Sequence, residues 1–214
     1  MSRIARKEAV KAERAGPGRP VDMAKRDAIL AATRRLVLRD GPFVSLEAVA
    51  AEAGVSRQTI YNSWPKKELL FQAVISRSVD EIMRPLTNAP EGASVEVTLI
   101  TMAQAYLDSM LEPAGFSILA LVIATREQYG PAYFDAGSGR AKRILSNYLR
   151  RQAERGVLDL EDPDLAAEHL MGMIKGNYFM KVMLHGPSAI DPESHERRIR
   201  SAVSTFLRAY GRNR

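Results

Sequence analysis

Apolar residues recur along most of this chain at intervals of three and four, the spacing that gathers them on one face of an α-helix. Between residues 22 and 39 the stripe is Ile29, Leu30, Thr33, Leu36 and Val37. Asp22 is placed to cap this helix and Gly41-Pro42 to end it, with Phe43-Val44 packing under the next two helices. A shorter stripe comes next in Leu46, Val49, Ala50 and Ala53. A long helix from about Lys66 to Leu86 carries Leu69, Leu70, Ala73, Val74, Val79 and Ile82. The loop NAPEGAS (88–94) then marks a boundary. Beyond it the pattern predicts helices over about 94–111, 115–128, 131–155, 163–184 and 192–210. Asp162-Pro163 and Asp191-Pro192-Glu193 set a cap before a first-turn proline, the favoured order at a helix start. There is no alternating strand pattern and no internal repeat. The expected fold is all-α.

The densest local signals lie between Ser45 and Leu70. The Ser45 hydroxyl can accept a backbone N–H left unpaired in a first turn, and Glu47 complements the positive end of the helix dipole. Gly54 suits the left-handed backbone of a helix end. Ser56 can cap again, Arg57 to Ser63 make about two turns, and Trp64-Pro65 ends them. Helix, glycine-containing turn and short helix together make a helix-turn-helix.

The polar face of the second short helix is unusual. With Val55 and Ile60 turned inward, Arg57, Gln58, Thr59, Tyr61 and Asn62 lie on or near the outer face. An ordinary solvated helix would carry Glu and Lys there. Arg, Gln and Asn instead match base edges, while Thr and Tyr suit phosphates. Lys66 and Lys67 follow, placed for the DNA backbone.

Charge sharpens this picture. Residues 1–67 hold 14 basic and 7 acidic residues, net +7, whereas 68–214 hold 17 and 18, net −1. The excess positive charge therefore coincides with the helix-turn-helix, as binding to a polyanion requires. Residues 1–20 read as a flexible basic arm broken at Gly16-Pro17-Gly18-Arg19-Pro20. Arg19 suits a minor groove, and a solubilising tail explains the same residues equally well.

Composition excludes several classes. Without cysteine there are no disulfides or thiolate metal sites, and the N-terminus lacks the apolar region of a secretory signal. The most apolar run, Phe116 to Ala124, is too short to span a bilayer. A soluble cytoplasmic protein with no membrane association is expected. Catalytic signatures are lacking too: His169, His185 and His195 are not at metal-ligand spacing, and no nucleophile elbow occurs. The run Gly137 to Lys142 lacks the ending of a phosphate-binding loop and reads as a loop between helices. Helix-start chemistry explains the acidic cluster Glu161, Asp162 and Asp164 better than a cation site does. No catalytic residue, cofactor or metal is expected.

The block from Val44 to Leu70 resembles the DNA-binding domain of TetR-type transcriptional regulators. The resemblance rests on Val49-Ala50, Ala53-Gly54-Val55-Ser56, Thr59-Ile60-Tyr61, Trp64-Pro65, and Lys67-Glu68 with Leu70. It extends back over the preceding helix to Arg39-Asp40-Gly41; beyond residue 90 only length, helical character and layout agree. It implies an N-terminal three-helix DNA-binding domain (21–67) and a C-terminal helical effector-binding and dimerisation domain (68–214). The expected partners are a double-stranded DNA operator, a small-molecule effector and a second copy of the chain. Expected DNA contacts are Ser45, Ser56, Arg57, Gln58, Thr59, Tyr61, Asn62, Lys66 and Lys67.

Two further sites are implied by the family layout. Gly172 and Gly176, four apart in one predicted helix, suit close approach of a partner helix. Ile199, Ala202, Val203, Phe206 and Tyr210 form a stripe that a homodimer would bury or that a monomer core would use. An effector pocket is implied among the middle helices, with Tyr106, Met110, Phe116, Arg126, Tyr129, Tyr133, Phe134, His169, Met173 and Asn177 as candidates, beside Tyr178 and Lys181. Core packing is the alternative role for each. The sequence thus points to a ligand-released repressor, with a dimeric DNA-binding protein lacking ligand control, or an enzyme, as the rivals.

Overall fold

The computed structural model describes residues 23–41, 43–112, 122–123 and 126–212. The basic arm and Phe116 lie outside them. Helices α1 (Met23–Asp40), α2 (Leu46–Ala53) and α3 (Arg57–Ser63) are followed by α4 (Lys67–Ile82) and the single turn α5 (Arg84–Thr87). Then come α6 (Val95–Leu111), α7 (Arg126–Ala136), α8 (Ser138–Glu154), α9 (Pro163–Lys175), α10 (Tyr178–His185), a 3₁₀ turn (Pro187–Ala189) and α11 (Pro192–Tyr210). The chain is all-α; an isolated antiparallel bridge joins Leu158 to Gly211.

Two apolar cores meet along α4. The N-terminal core gathers Ile29, Leu36, Val37, Val49, Ile60 and Trp64 with Leu70, Phe71 and Ile75 from the first half of α4. The C-terminal core begins at Val79, on the same helix, and joins Met83 and Leu99 to Leu145, Leu170, Val203 and Phe206. There α8 packs along α9, and α11 lies against α6 and α9. Tyr133 of α7, 4% exposed, crosses over to the N-terminal core, and Val122 and Ala136 pack against that core as well.

Three long helices expected from periodicity are interrupted. The 66–86 helix stops at Ile82 and resumes as α5, because Pro85 lacks an N–H and its ring crowds the preceding turn. Leu69, expected on its inner face, is exposed. The break expected near residue 130 falls instead at Gly137, and α7 runs on through Pro131. Ser138 to Lys142 are therefore the first turns of α8 rather than a loop.

The third break removes a premise. The 163–184 helix ends at Lys175, and Gly176 adopts φ 42° and ψ −134° before α10 begins. Such a positive φ favours glycine, and a Cβ there would collide with the Arg198 guanidinium. Gly172 is exposed and faces open space, so the two glycines do not line one helix face. Ile199, Ala202, Val203 and Phe206, expected at an interface with a second copy, are buried inside the protomer against α6 and α9. The periodicity marks the buried face correctly, but a stripe does not say which chain buries it.

Candidate nucleic-acid interface

Local chemistry builds the helix-turn-helix. Ser45, with φ −84° and ψ 154°, accepts the Ala48 N–H at 3.1 Å and starts α2. Gly54, at φ 65°, turns the chain, and the Val55 N–H returns to the Ala50 carbonyl at 3.0 Å. Ser56 repeats the cap on Thr59 N–H at 3.1 Å, and its hydroxyl also pairs with that of Thr59 at 2.9 Å. Trp64 leaves the helical region at φ −135° while its N–H still reaches the Ile60 carbonyl at 2.8 Å. Its ring is buried, with the Arg26 guanidinium 4.6 Å above the centroid.

Ile60 is fully buried and Val55 half-buried, so α3 has one possible inner face. The opposite face presents Arg57, Gln58 and Asn62 exposed, with Tyr61 half-exposed beside them. These groups are organised before any partner arrives. Arg57 donates to the Tyr61 hydroxyl at 2.9 Å and forms an ion pair with Glu47 of α2. Tyr61 and Glu47 together hold the guanidinium above its ordinary value, so it stays charged. Gln58 Nε2 donates to Asn62 Oδ1 at 2.9 Å. Lys66 is exposed at the start of α4, and the Lys67 ammonium lies 5.4 Å from the centre of the Phe71 ring. Ser45 and Ser56 are exposed, their oxygens engaged as caps while their hydroxyl groups remain able to donate.

Ion pairs hold this head against the rest of the chain. Arg34 of α1 pairs with Glu112 at the end of α6 and with Glu81 of α4, and Arg77 of α4 pairs with Asp27 of α1. Farther along α4, Asp80 takes both nitrogens of the Arg140 fork, at 2.7 and 2.9 Å. Exposed pairs of this kind contribute about 0–1 kcal/mol each, so they set orientation more than stability.

Among the described residues, those expected to line an effector pocket are not gathered around one cavity. Tyr106 and Met110 are half-buried against the C-terminal core, and burial raises the Tyr106 phenol above its ordinary value. Tyr133 is in the other core, and Arg126 and Phe134 are exposed. Tyr129 is helical, with its side chain outside the described set. His169 is exposed and pairs with the Tyr210 hydroxyl at 2.6 Å. Met173 flanks an open groove with Tyr178, Lys181 and Arg198, and Asn177 is exposed. Sequence reading missed the Glu47–Arg57 pair and a cleft of about 360 Å³ between α1, α4 and α6, lined in part by Arg34, Ser78, Glu81 and Asp108. Neither leaves a periodic trace, because each joins side chains of different helices.

Two family models match the chain. "Bacterial regulatory proteins, tetR family" matches residues 29–74, and "AefR-like transcriptional repressor, C-terminal domain" matches residues 97–212. The uncharacterized HTH-type transcriptional regulator YdeS of Bacillus subtilis (strain 168) is 27% identical over 182 residues, covering 81% of this chain and 86% of the relative. Among solved structures, a TetR-family protein from Mesorhizobium loti MAFF303099 superposes with a TM-score of 0.72 at 26% identity, covering 88% of this chain and 97% of its own. The flavonoid-responsive regulator FrrA superposes at 0.66 with 25% identity, over 89% of this chain and 98% of its own.

Proposed function

The chain belongs to the TetR family of bacterial transcriptional regulators, and on that premise we propose that it is a homodimeric repressor released from its operator by a small-molecule effector. It is a DNA-binding regulator and not an enzyme, as its relatives are regulators. The observation that carries DNA reading is the outer face of α3, where Arg57, Gln58, Tyr61 and Asn62 stand on a helix capped at both ends. Arg57, Gln58 and Asn62 face base edges, while Thr59, Tyr61, Lys66, Lys67 and the hydroxyls of Ser45 and Ser56 take phosphates. Two such heads, one helical turn apart, address inverted half-sites.

Release results if the effector favours a state in which the two heads no longer match that spacing. The C-terminal match to a repressor family and the likeness to FrrA, itself flavonoid-responsive, support effector control. The connecting element is α4, which contributes side chains to both cores. With the α11 stripe occupied internally, a second copy meets the exposed side of α9 and α11, around Leu165, Gly172, Ser201 and Thr205. No helix among the described residues is long and apolar enough to cross a membrane, and the place of action is the cytoplasm, on duplex DNA.

Selection from random duplex DNA at fixed moderate salt tests this reading. Enrichment of two inverted half-sites is the expected result and supplies the probe for an effector screen. Salt-sensitive binding with no enriched sequence would overturn sequence reading by α3 and leave an architectural DNA-binding protein.

A further inference from the structure

A second cleft, of about 460 Å³, opens between the α5 turn, the loop after it and the last turns of α8. It lies beyond the end of α4 that is remote from the reading head. Its wall combines apolar groups, among them Leu86 and Ile144, with Asn147, Arg151, Gln152 and Arg155; no acidic side chain lines it. The absence of a counter-charge is notable in a part of the chain where acids and bases are nearly balanced.

Gln152 is the telling residue. It is 6% exposed, lines the cleft, and its carboxamide has no hydrogen-bond partner among the described residues. The residue is buried, but its amide is not sealed from solvent: it opens onto the cleft, where it can bond a polar occupant. Arg151 uses one nitrogen on the Leu86 carbonyl, at 3.3 Å, and lies over the Tyr148 ring, 5.9 Å from its centre. The rest of its fork, and the whole guanidinium of Arg155, have no carboxylate partner among the described residues. Asn147 Oδ1 accepts a hydrogen bond from the Arg150 guanidinium at 2.8 Å, which leaves its amide hydrogens as donors. Two cations and two amides thus converge where a carboxylate or phosphoryl group would be held by charge-assisted bonds.

We propose that this cleft binds a small amphipathic organic anion, its oxyanion on Arg151, Arg155, Asn147 and Gln152 and its apolar body against Leu86 and Ile144. This goes beyond effector-released repression, since it assigns a place and a ligand charge whether or not the occupant acts on DNA binding.

Calorimetric titration of the full chain at constant ionic strength with benzoate, phenyl phosphate and neutral benzamide tests it. Saturable binding of at least one anion and none of benzamide is expected, and the tighter of the two anions identifies the acid group. Arg155→Gln removes an exposed guanidinium, so the fold is kept, and should weaken binding about tenfold, the loss of one charged hydrogen bond. Gln152→Leu should weaken it as well, because the amide that opens onto the cleft is gone. Failure of both anions to saturate, equal binding of benzamide, or affinity unchanged in both variants would overturn the assignment.

Discussion

Gln58 and Asn62, one turn apart on α3, share a hydrogen bond of 2.9 Å, so the two outward amides act as one unit. Each orients the other. Replacing Gln58 by Ala should relax base preference at one operator position by roughly 1–3 kcal/mol. Asn62→Ala should cost less than its own contacts once Gln58 is gone. A double-mutant cycle on an operator panel reads that coupling, and strictly additive losses would show that the amides act alone on DNA.

Lys66 is exposed at the start of α4 and is not on the base-reading face. Lys66→Ala should weaken binding to all sequences alike and reduce the salt slope by about one ion. Binding isotherms at several salt concentrations measure it; a changed base preference would move Lys66 from phosphate to base contact.

Ser56→Ala removes the side-chain acceptor for the Thr59 N–H. The expected loss is about 1 kcal/mol, or a melting temperature lower by about 2–4 °C in a chain of this size. Circular dichroism gives the midpoint directly. Ser56→Asp, which can also cap, should recover most of it while adding a charge that weakens DNA binding, separating folding from recognition.

The capping residues were legible in the sequence because their partners lie three residues away. Ser45, Gly54, Ser56 and Trp64 all do in the structure what their residue types suggest. The outer face of α3 was legible for the same reason, once Ile60 fixed the inner one. The interruptions at Met83, Gly137 and Gly176 were not, because apolar spacing continues across them and a proline or glycine does not by itself mark a break, as Pro131 inside α7 shows. The pocket was least legible. Aromatic and Met residues mark burial of any kind, and Tyr106 and Tyr133 end in different cores.

Gly176→Ala should destabilise by about 1–2 kcal/mol, since the residue must leave its positive φ and push Arg198 aside. Gly172→Ala, in helix α9 with open space around it, should instead stabilise by about 0.5–1 kcal/mol. Chemical denaturation of the two variants checks the pair. A Gly172→Ala chain that is stable yet sediments as a monomer would place Gly172 at a close helix contact between two copies.

Tyr133 has a consequence for how such a regulator can be rebuilt. The tyrosine that completes the N-terminal core arrives from α7, some sixty residues beyond the last residue of α4 that shares that core, Ile75. A reading head cut out after α5 and grafted onto another effector module would carry a hole where this ring sat, and large-to-small changes in a core cost about 3–5 kcal/mol. A working chimera must therefore import the aromatic residue with the helix that delivers it, so that recombination between relatives favours crossovers that keep α1 to α4 and α7 of common descent.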